Sequence, residues 1–258
     1  MKFFSVPAQE VSQESVVLRD PIFISDLHLS RHVPDTIRGF MRFLDEVASK
    51  HQELVILGDL FDYWVGDDAI DTMQDIVDAL KHFSKDHKLY ILHGNRDFMM
   101  GEDFSKATGA TILADPAVTS NQGFRMVLSH GDAWCTDDSE YQKVRQKLRS
   151  FWWQWTMLRL PLKKRLEIAE NGRAKSQIQK QKNDAAKMDV VNAEVLKSAL
   201  KEYAEVVIHG HTHLPGRVAL DKEHFRLALP DWHFEGDQCV RGGYVEIIDN
   251  HPVLKTFE

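Results

Sequence analysis

Two cysteines, Cys135 and Cys239, are too few for a disulfide framework, so a small stapled secreted fold is excluded and free thiols in a reducing compartment are expected. No apolar run reaches the roughly 18–20 residues that a membrane span needs. The opening MKFFSVPAQEVSQES lacks the basic-then-apolar order of a secretory leader. Internal repeats and low-complexity tracts are missing too. Positive charge is in deficit: 32 Lys and Arg stand against 39 Asp and Glu, a net charge of -7, which argues against nonspecific nucleic-acid binding. These absences leave a cytoplasmic protein that could still associate peripherally with a membrane surface.

What is present is an ordinary globular composition with a surplus of histidine. Hydrophobic residues make up 43% of the 258, enough for a sizeable core. The 13 histidines direct attention to metal chemistry. Short apolar runs read as buried strands at Pro21–Ser25, Leu54–Leu57, Leu89–Leu92, Arg125–Ser129 and Val206–Ile208. Helical spacing appears between them over Asp35–Ser49 and Asp71–Phe83. This alternation predicts an α/β fold with helices over a sheet. Phe225–Ala228 and Gly243–Ile248 read as further strands, continuing the sheet antiparallel.

One stretch breaks the rhythm. From Asp138 to about Met188 no strand pattern occurs, which predicts a helical insertion broken at Pro161 and at Asn171-Gly172. Three of the six tryptophans, Trp152, Trp153 and Trp155, lie within four positions there. Residues 141–187 hold 13 Lys and Arg against 3 Asp and Glu, a local +10 that leaves -17 for the rest. The aromatic residues could line an apolar ligand pocket or pack as core. The basic residues could meet phosphates and an anionic membrane, or form an ordinary solvated face.

The strands run into polar motifs. These are Ser25-Asp26-Leu27-His28, Gly58-Asp59-Leu60, His93-Gly94-Asn95-Arg96-Asp97, Ser129-His130-Gly131-Asp132 and His209-Gly210-His211-Thr212-His213. Ligands of open α/β sheets bind at the carboxyl ends of strands, so five such ends predict one crevice. Asp26 and His28 are two apart, as are His211 and His213, and in extended backbone each pair points one way. Imidazole with carboxylate suits Mn, Zn or Fe better than Ca or Mg alone. Asp97 and Asp132 are candidate acceptors for ligand histidines, or else helix and turn caps.

In this order the motifs resemble the calcineurin-like metallophosphoesterases. The longer strings FISDLHLS, ILGDLFDYWVGDD, LHGNRDFMMG, LSHGDAWCTDD and HGHTHLP resemble the branch of that family formed by the UDP-2,3-diacylglucosamine diphosphatases of lipid A biosynthesis. The resemblance implies an α/β sandwich of two mixed sheets flanked by helices. Residues 1–136 and 191–258 would form the core, and 137–190 a helical cap that binds lipid. It implies two Mn2+ ions, the first on Asp26, His28, Asp59 and His213, the second on Asp59, Asn95, His130 and His211, with Asp59 shared. Two such ions can clamp a phosphoryl group for in-line attack.

Many relatives carry His after the Asn, where this chain has Arg96. A guanidinium cannot usefully donate a proton at neutral pH, but it binds phosphate oxygens and stabilises charge. A diphosphate substrate leaves as a phosphate monoester, already a stable anion, and needs little acid help. By resemblance, catalysis falls to Asp59 and Arg96, and substrate contacts to Asn95, Arg96, Asp138, Ser176, Lys180, Asn183 and His211. The family often places Asn before Lys after this Ser, and here Lys180 precedes Asn183. The expected partners are a UDP-diacylglucosamine lipid and an anionic inner-membrane surface, with no nucleic acid. The competing readings are another metallophosphoesterase, such as a soluble nucleotide pyrophosphatase or phosphodiesterase, disfavoured by the apolar basic flap and Arg96, and a catalytically silent scaffold that binds partners, disfavoured by seven intact ligands.

Overall fold

The computed structural model describes residues 16–182 and 189–257, and of residues 174–182 the backbone alone. The first half of the chain gives β1 (Val16–Leu18), β2 (Pro21–Ile24), α1 (Pro34–Glu46), β3 (Glu53–Ile56), α2 (Gln74–Phe83), β4 (Lys88–Leu92), α3 (Glu102–Thr108), β5 (Thr111–Leu113), β6 (Ala117–Asn121) and β7 (Phe124–Ser129). The second half gives α4 (Ser139–Leu148), α5 (Phe151–Leu158), α6 (Leu162–Lys182), α7 (Asn192–Lys201), β8 (Val206–His209), β9 (Gly216–Ala219), β10 (Phe225–Ala228), β11 (His233–Glu235), β12 (Gln238–Arg241), β13 (Gly243–Ile248) and β14 (His251–Thr256). The five expected strands are all present, each within a residue or two of its expected bounds.

Two six-stranded mixed sheets carry the fold, in the orders β14-β13-β2-β3-β4-β5 and β1-β6-β7-β8-β10-β9. The period-two alternation of strand side chains assigns each residue to a layer. Phe23, Val55 and Val245 of the first sheet and Met126, Leu128, Val206, Ile208 and Leu227 of the second form one apolar layer between the sheets. Their neighbours in sequence face outward. Ile22, Ile24, Leu54 and Ile56 pack with Phe40 and Leu44 of α1 and Ile76 and Leu80 of α2. Val127 and Val207 pack with Val195 and Ala199 of α7. Both sheets are thus apolar on both faces, which is why their strands read as continuous hydrophobic runs.

Helix ends follow local chemistry. α1 starts with Pro34 in its first turn, where a missing N–H costs nothing, and ends three residues before the expected Ser49, the chain continuing as a short 3-10 turn at Ala48–Lys50. α3 carries Glu102 and Asp103 in its first turn and closes on Gly109 in the left-handed region at φ 75°.

Two expectations are corrected. Phe225–Ala228 pairs parallel, not antiparallel, with β8, because the chain first turns out to the edge as β9 and returns as β10. Gly243–Ile248 is antiparallel to β2 and β14, as expected. The stretch after Asp138 is helical and breaks at Pro161, but α6 runs straight through Asn171-Gly172. Gly172 has no neighbour within 4 Å where its Cβ would stand. A helical glycine costs about 1 kcal/mol against alanine, too little to stop this helix.

Candidate metal centre

β2, β3 and β4 are parallel within one sheet, and β7 and β8 are parallel within the other. The residues that follow these five strands meet. Asp26, Asp59 and His130 are buried and bring one donor atom each within 4.8 Å of one another, and Asp26, His28 and His213 do the same. Asp26 belongs to both triads. Asp59 lies between the two histidine groups, its Oδ2 3.7 Å from His28 Nδ1 and its Oδ1 3.7 Å from His130 Nε2. Asn95 Oδ1 sits 3.0 Å from His130 Nε2 and 2.9 Å from His211 Nδ1. All seven expected ligands therefore gather in one cluster.

The backbone that achieves this is not extended. Asp26, His28, Asp59, His211 and His213 all have φ between 50° and 68°. Left-handed backbone is uncommon for residues other than glycine and clusters at functional sites. Left-handed turns fixed by hydrogen bonds, rather than strand pleating, aim the Asp26–His28 and His211–His213 pairs. Asp26 N–H donates to the Gly58 carbonyl at 3.2 Å, and His28 N–H to the Asp59 carbonyl at 3.0 Å. Neighbouring glycines make room for the donors. A Cβ on Gly94 would stand 2.1 Å from Asp59 Oδ1, and one on Gly210 2.4 Å from Asp26 Oδ2.

The donor set fits a divalent cation. His130 Nδ1 donates to the Leu57 carbonyl at 2.9 Å, which directs the Nε2 lone pair at Asn95 and Asp59. Asp26 Oδ1 is buried and accepts no hydrogen bond, although His213 Nε2 lies 3.3 Å away. Where lone pairs converge like this, a proton or a cation must sit between them. Burial opposes charge on His130, but the carboxylates of Asp59, Asp26, Asp132 and Asp115 outweigh it and push its pKa up to about 9. Burial likewise opposes ionisation of Asp26, and His213, His130 and His28 together hold its carboxyl well below the usual range. The site concentrates negative charge and lone pairs that a metal would satisfy.

Of the two readings for the supporting acids, Asp97 follows the turn-cap one and Asp132 instead meets side chains of α4. Asp97 accepts from the N–H groups of Gly94, Asp59 and Phe61 at 2.8, 3.3 and 3.3 Å, so it braces the metal loops and receives no histidine. Asp132 takes Arg145 Nε at 2.8 Å and the Tyr141 hydroxyl at 3.1 Å, which ties α4 to the centre. The acceptor beside His213 is Asp231, 3.8 Å from its Nδ1 and gripped by Arg241. Arg149 also donates to the His93 and Gly94 carbonyls. Asp231 follows β10 with no motif around it. Asp62 was the more findable omission, three residues after Asp59 in GDLFD.

Arg96 flanks the cluster. Its N–H donates to Asp59 Oδ1 at 2.9 Å, its Nε lies 3.4 Å from Asp59 Oδ2, and its Nη1 donates to Asp62. Asp138 caps α4 by accepting from Tyr141 N–H at 2.9 Å, which commits one of its carboxylate oxygens to the helix. Ser176 and Lys180 lie on α6 where the backbone alone is described, and Asn183 lies outside the described residues.

The aromatic stretch splits by face. Trp153, Leu158 and Leu160 pack against the helix-side core, where Met157 is buried, while Trp152, Phe151 and Trp155 are 71%, 51% and 38% exposed. Arg159 stacks on the Trp155 ring at 3.3 Å. The basic residues split as well. Arg145, Arg149, Arg165 and Arg173 pair with carboxylates of the fold, whereas Lys143, Lys147, Arg159, Lys163 and Lys164 are exposed. Among the described residues, no helix is long and apolar enough to cross a membrane.

Comparison with known proteins agrees with this architecture. The sequence profile of the calcineurin-like phosphoesterases matches residues 22–215, and the chain belongs to that family. It is a metal-dependent hydrolase. A UDP-2,3-diacylglucosamine hydrolase of Proteus mirabilis is 42% identical over 88% of this chain and 97% of its own. One from Photorhabdus laumondii is 42% identical over 83% of this chain and 92% of its own. One from Chromohalobacter salexigens is 39% identical over 90% of this chain and 94% of its own.

Proposed function

We propose that this protein hydrolyses the diphosphate of UDP-2,3-diacylglucosamine, with water attacking the α-phosphorus, to give UMP and 2,3-diacylglucosamine 1-phosphate in lipid A biosynthesis. The observation that carries the reading is the seven-donor cluster with Arg96, not a histidine, at its edge. The names and the long coverage of the relatives support the lipid nucleotide as substrate. Residues 137–190 act as the cap and the remainder as the catalytic core.

Two Mn2+ ions are the proposed cofactors, held by Asp26, His28, Asp59 and His213 on one side and by Asp59, Asn95, His130 and His211 on the other. The place of Asp59 between His28 and His130 suits the shared position. When bound, such cations supply Lewis acidity and positive charge for a phosphoryl oxygen. The chain does the rest. Arg96 binds oxygens of the leaving phosphate and stabilises the charge that grows there. No general acid is required, because that group leaves as an anion. Asn95 and His211 border the reacting phosphate, and Asp138, Ser176, Lys180 and Asn183 approach the rest of the substrate from the cap. The exposed Phe151, Trp152 and Trp155, with exposed Lys143, Lys147, Lys163 and Lys164 on the flanking helices, suit lipid chains at an anionic inner-membrane surface, and we assign the protein peripherally to its cytoplasmic side.

The test is UMP release from the purified lipid nucleotide with added Mn2+. Asp59→Ala should lose bound metal and turnover together. Arg96→Ala should keep its metal and lose turnover about 100-fold, the scale of one charge-stabilising donor. Strong turnover of generic phosphodiesters with none on the lipid nucleotide would sink the assignment.

A further inference from the structure

Asp62 plays no part in the ligand set, yet it is 3% exposed and carries two arginines from opposite sides of the chain. Its Oδ1 accepts from Arg96 Nη1, in the loop after β4. Its Oδ2 lies 2.7 Å from Arg173 Nε, on α6. Burying a carboxylate is costly unless charge partners surround it, and Asp62 has two, of which Arg96 also faces Asp59. Both guanidinium groups stay partly open, 20% exposed for Arg96 and 34% for Arg173, with N–H groups that Asp62 does not use.

The same loop grips α6 at another point. Arg165, 1% exposed, donates to the Val65 carbonyl and to Asp68. The first half of α6 is therefore moored to the loop that leads away from Asp59. Arg96 is in turn moored to Asp59 itself by its backbone N–H. One carboxylate thus fixes the position of a cap arginine relative to the metal cluster.

We propose that Asp62 is a positioning residue that sets Arg96 and Arg173 as a paired clamp for the phosphate that leaves. The metal side takes the phosphoryl group under attack, and the arginine pair takes its neighbour. This rests on the diphosphate reading given above. The clamp acts as charge grows on the leaving phosphate, so its loss falls on kcat more than on KM.

The experiment is a double-mutant cycle on UMP release from UDP-2,3-diacylglucosamine. Asp62→Asn should lower kcat about 10- to 100-fold and change KM less than about threefold, with metal content unchanged by elemental analysis. Arg96→Ala and Arg173→Ala should each cost at least about fivefold less in the Asp62→Asn background than with Asp62 intact. Should Asp62→Asn not fold, a cycle of Arg96→Ala with Arg173→Gln replaces it: a paired clamp predicts coupled losses on kcat, and additive losses overturn it. Additive losses, or metal lost along with activity, would overturn the positioning role. No UMP release by the unmodified protein would instead overturn the substrate reading.

Discussion

His209 shows how much a single buried side chain contributes to the pH response. It opens the His-Gly-His-Thr-His motif but faces away from the cluster, its Nδ1 donating to the Gly210 carbonyl and its Nε2 accepting from Arg226 at 3.1 Å. Burial, with Arg226 beside it, pushes its pKa down to about 4. An unfolded chain takes up this proton near 6.5, so between those values the unfolded state binds more protons than the folded one. The contribution to stability is complete above pH 6.5 and is lost as pH falls toward 4. Urea unfolding from pH 7 to 4.5 should show His209→Gln losing less stability on acidification than the unmodified protein. Parallel curves would mean that His209 is not held neutral. The motif identified this residue in sequence but not its role, because Arg226 and Asp189, which complete the network, lie far along the chain.

At the scale of elements, α5 has two faces with different duties. Trp153 rests 6.1 Å from the Phe98 ring within the core, whereas Trp152 projects into solvent. Trp153→Ser should cost about 3 kcal/mol of stability, the range for deleting a large packed side chain. Trp152→Ser should leave the melting temperature in place and weaken sedimentation with phosphatidylethanolamine–phosphatidylglycerol vesicles. Equal melting losses from both variants would contradict the division of faces. The composition of FWWQW was legible as unusual, but which face turns outward was not, since no polar residue alternates with the aromatics at helical spacing. Strand positions were legible because both sheets are apolar on both faces. Strand direction was not, and β10 runs opposite to expectation for that reason. Asp62 and Arg173 stand 111 positions apart in the sequence, and pairings of that span leave no local spacing to read.

For the whole molecule, the donors divide between the sheets. Asp26, His28, Asp59 and Asn95 follow strands of one sheet, and His130, His211 and His213 follow strands of the other. A cation held by this set would therefore join the two. A ligand at a hundredfold its dissociation constant stabilises by about 2.7 kcal/mol, or about 5–10 °C in a domain of this size. Chelation with EDTA should lower the melting temperature by that amount, and added Mn2+ should restore it. An unchanged melting temperature in EDTA, with metal removal verified, would count against donors shared between the sheets.

The apolar layer of Phe23, Val55, Met126 and Leu128 then has a second office, that of a spacer. Its thickness sets how far the aspartates of one sheet stand from the histidines of the other. Interiors this dense transmit a change of one methylene group instead of absorbing it. Side chains that never approach the substrate thereby calibrate the reach between the two halves of the centre, and metal affinity becomes a property of the hydrophobic core as much as of the ligands.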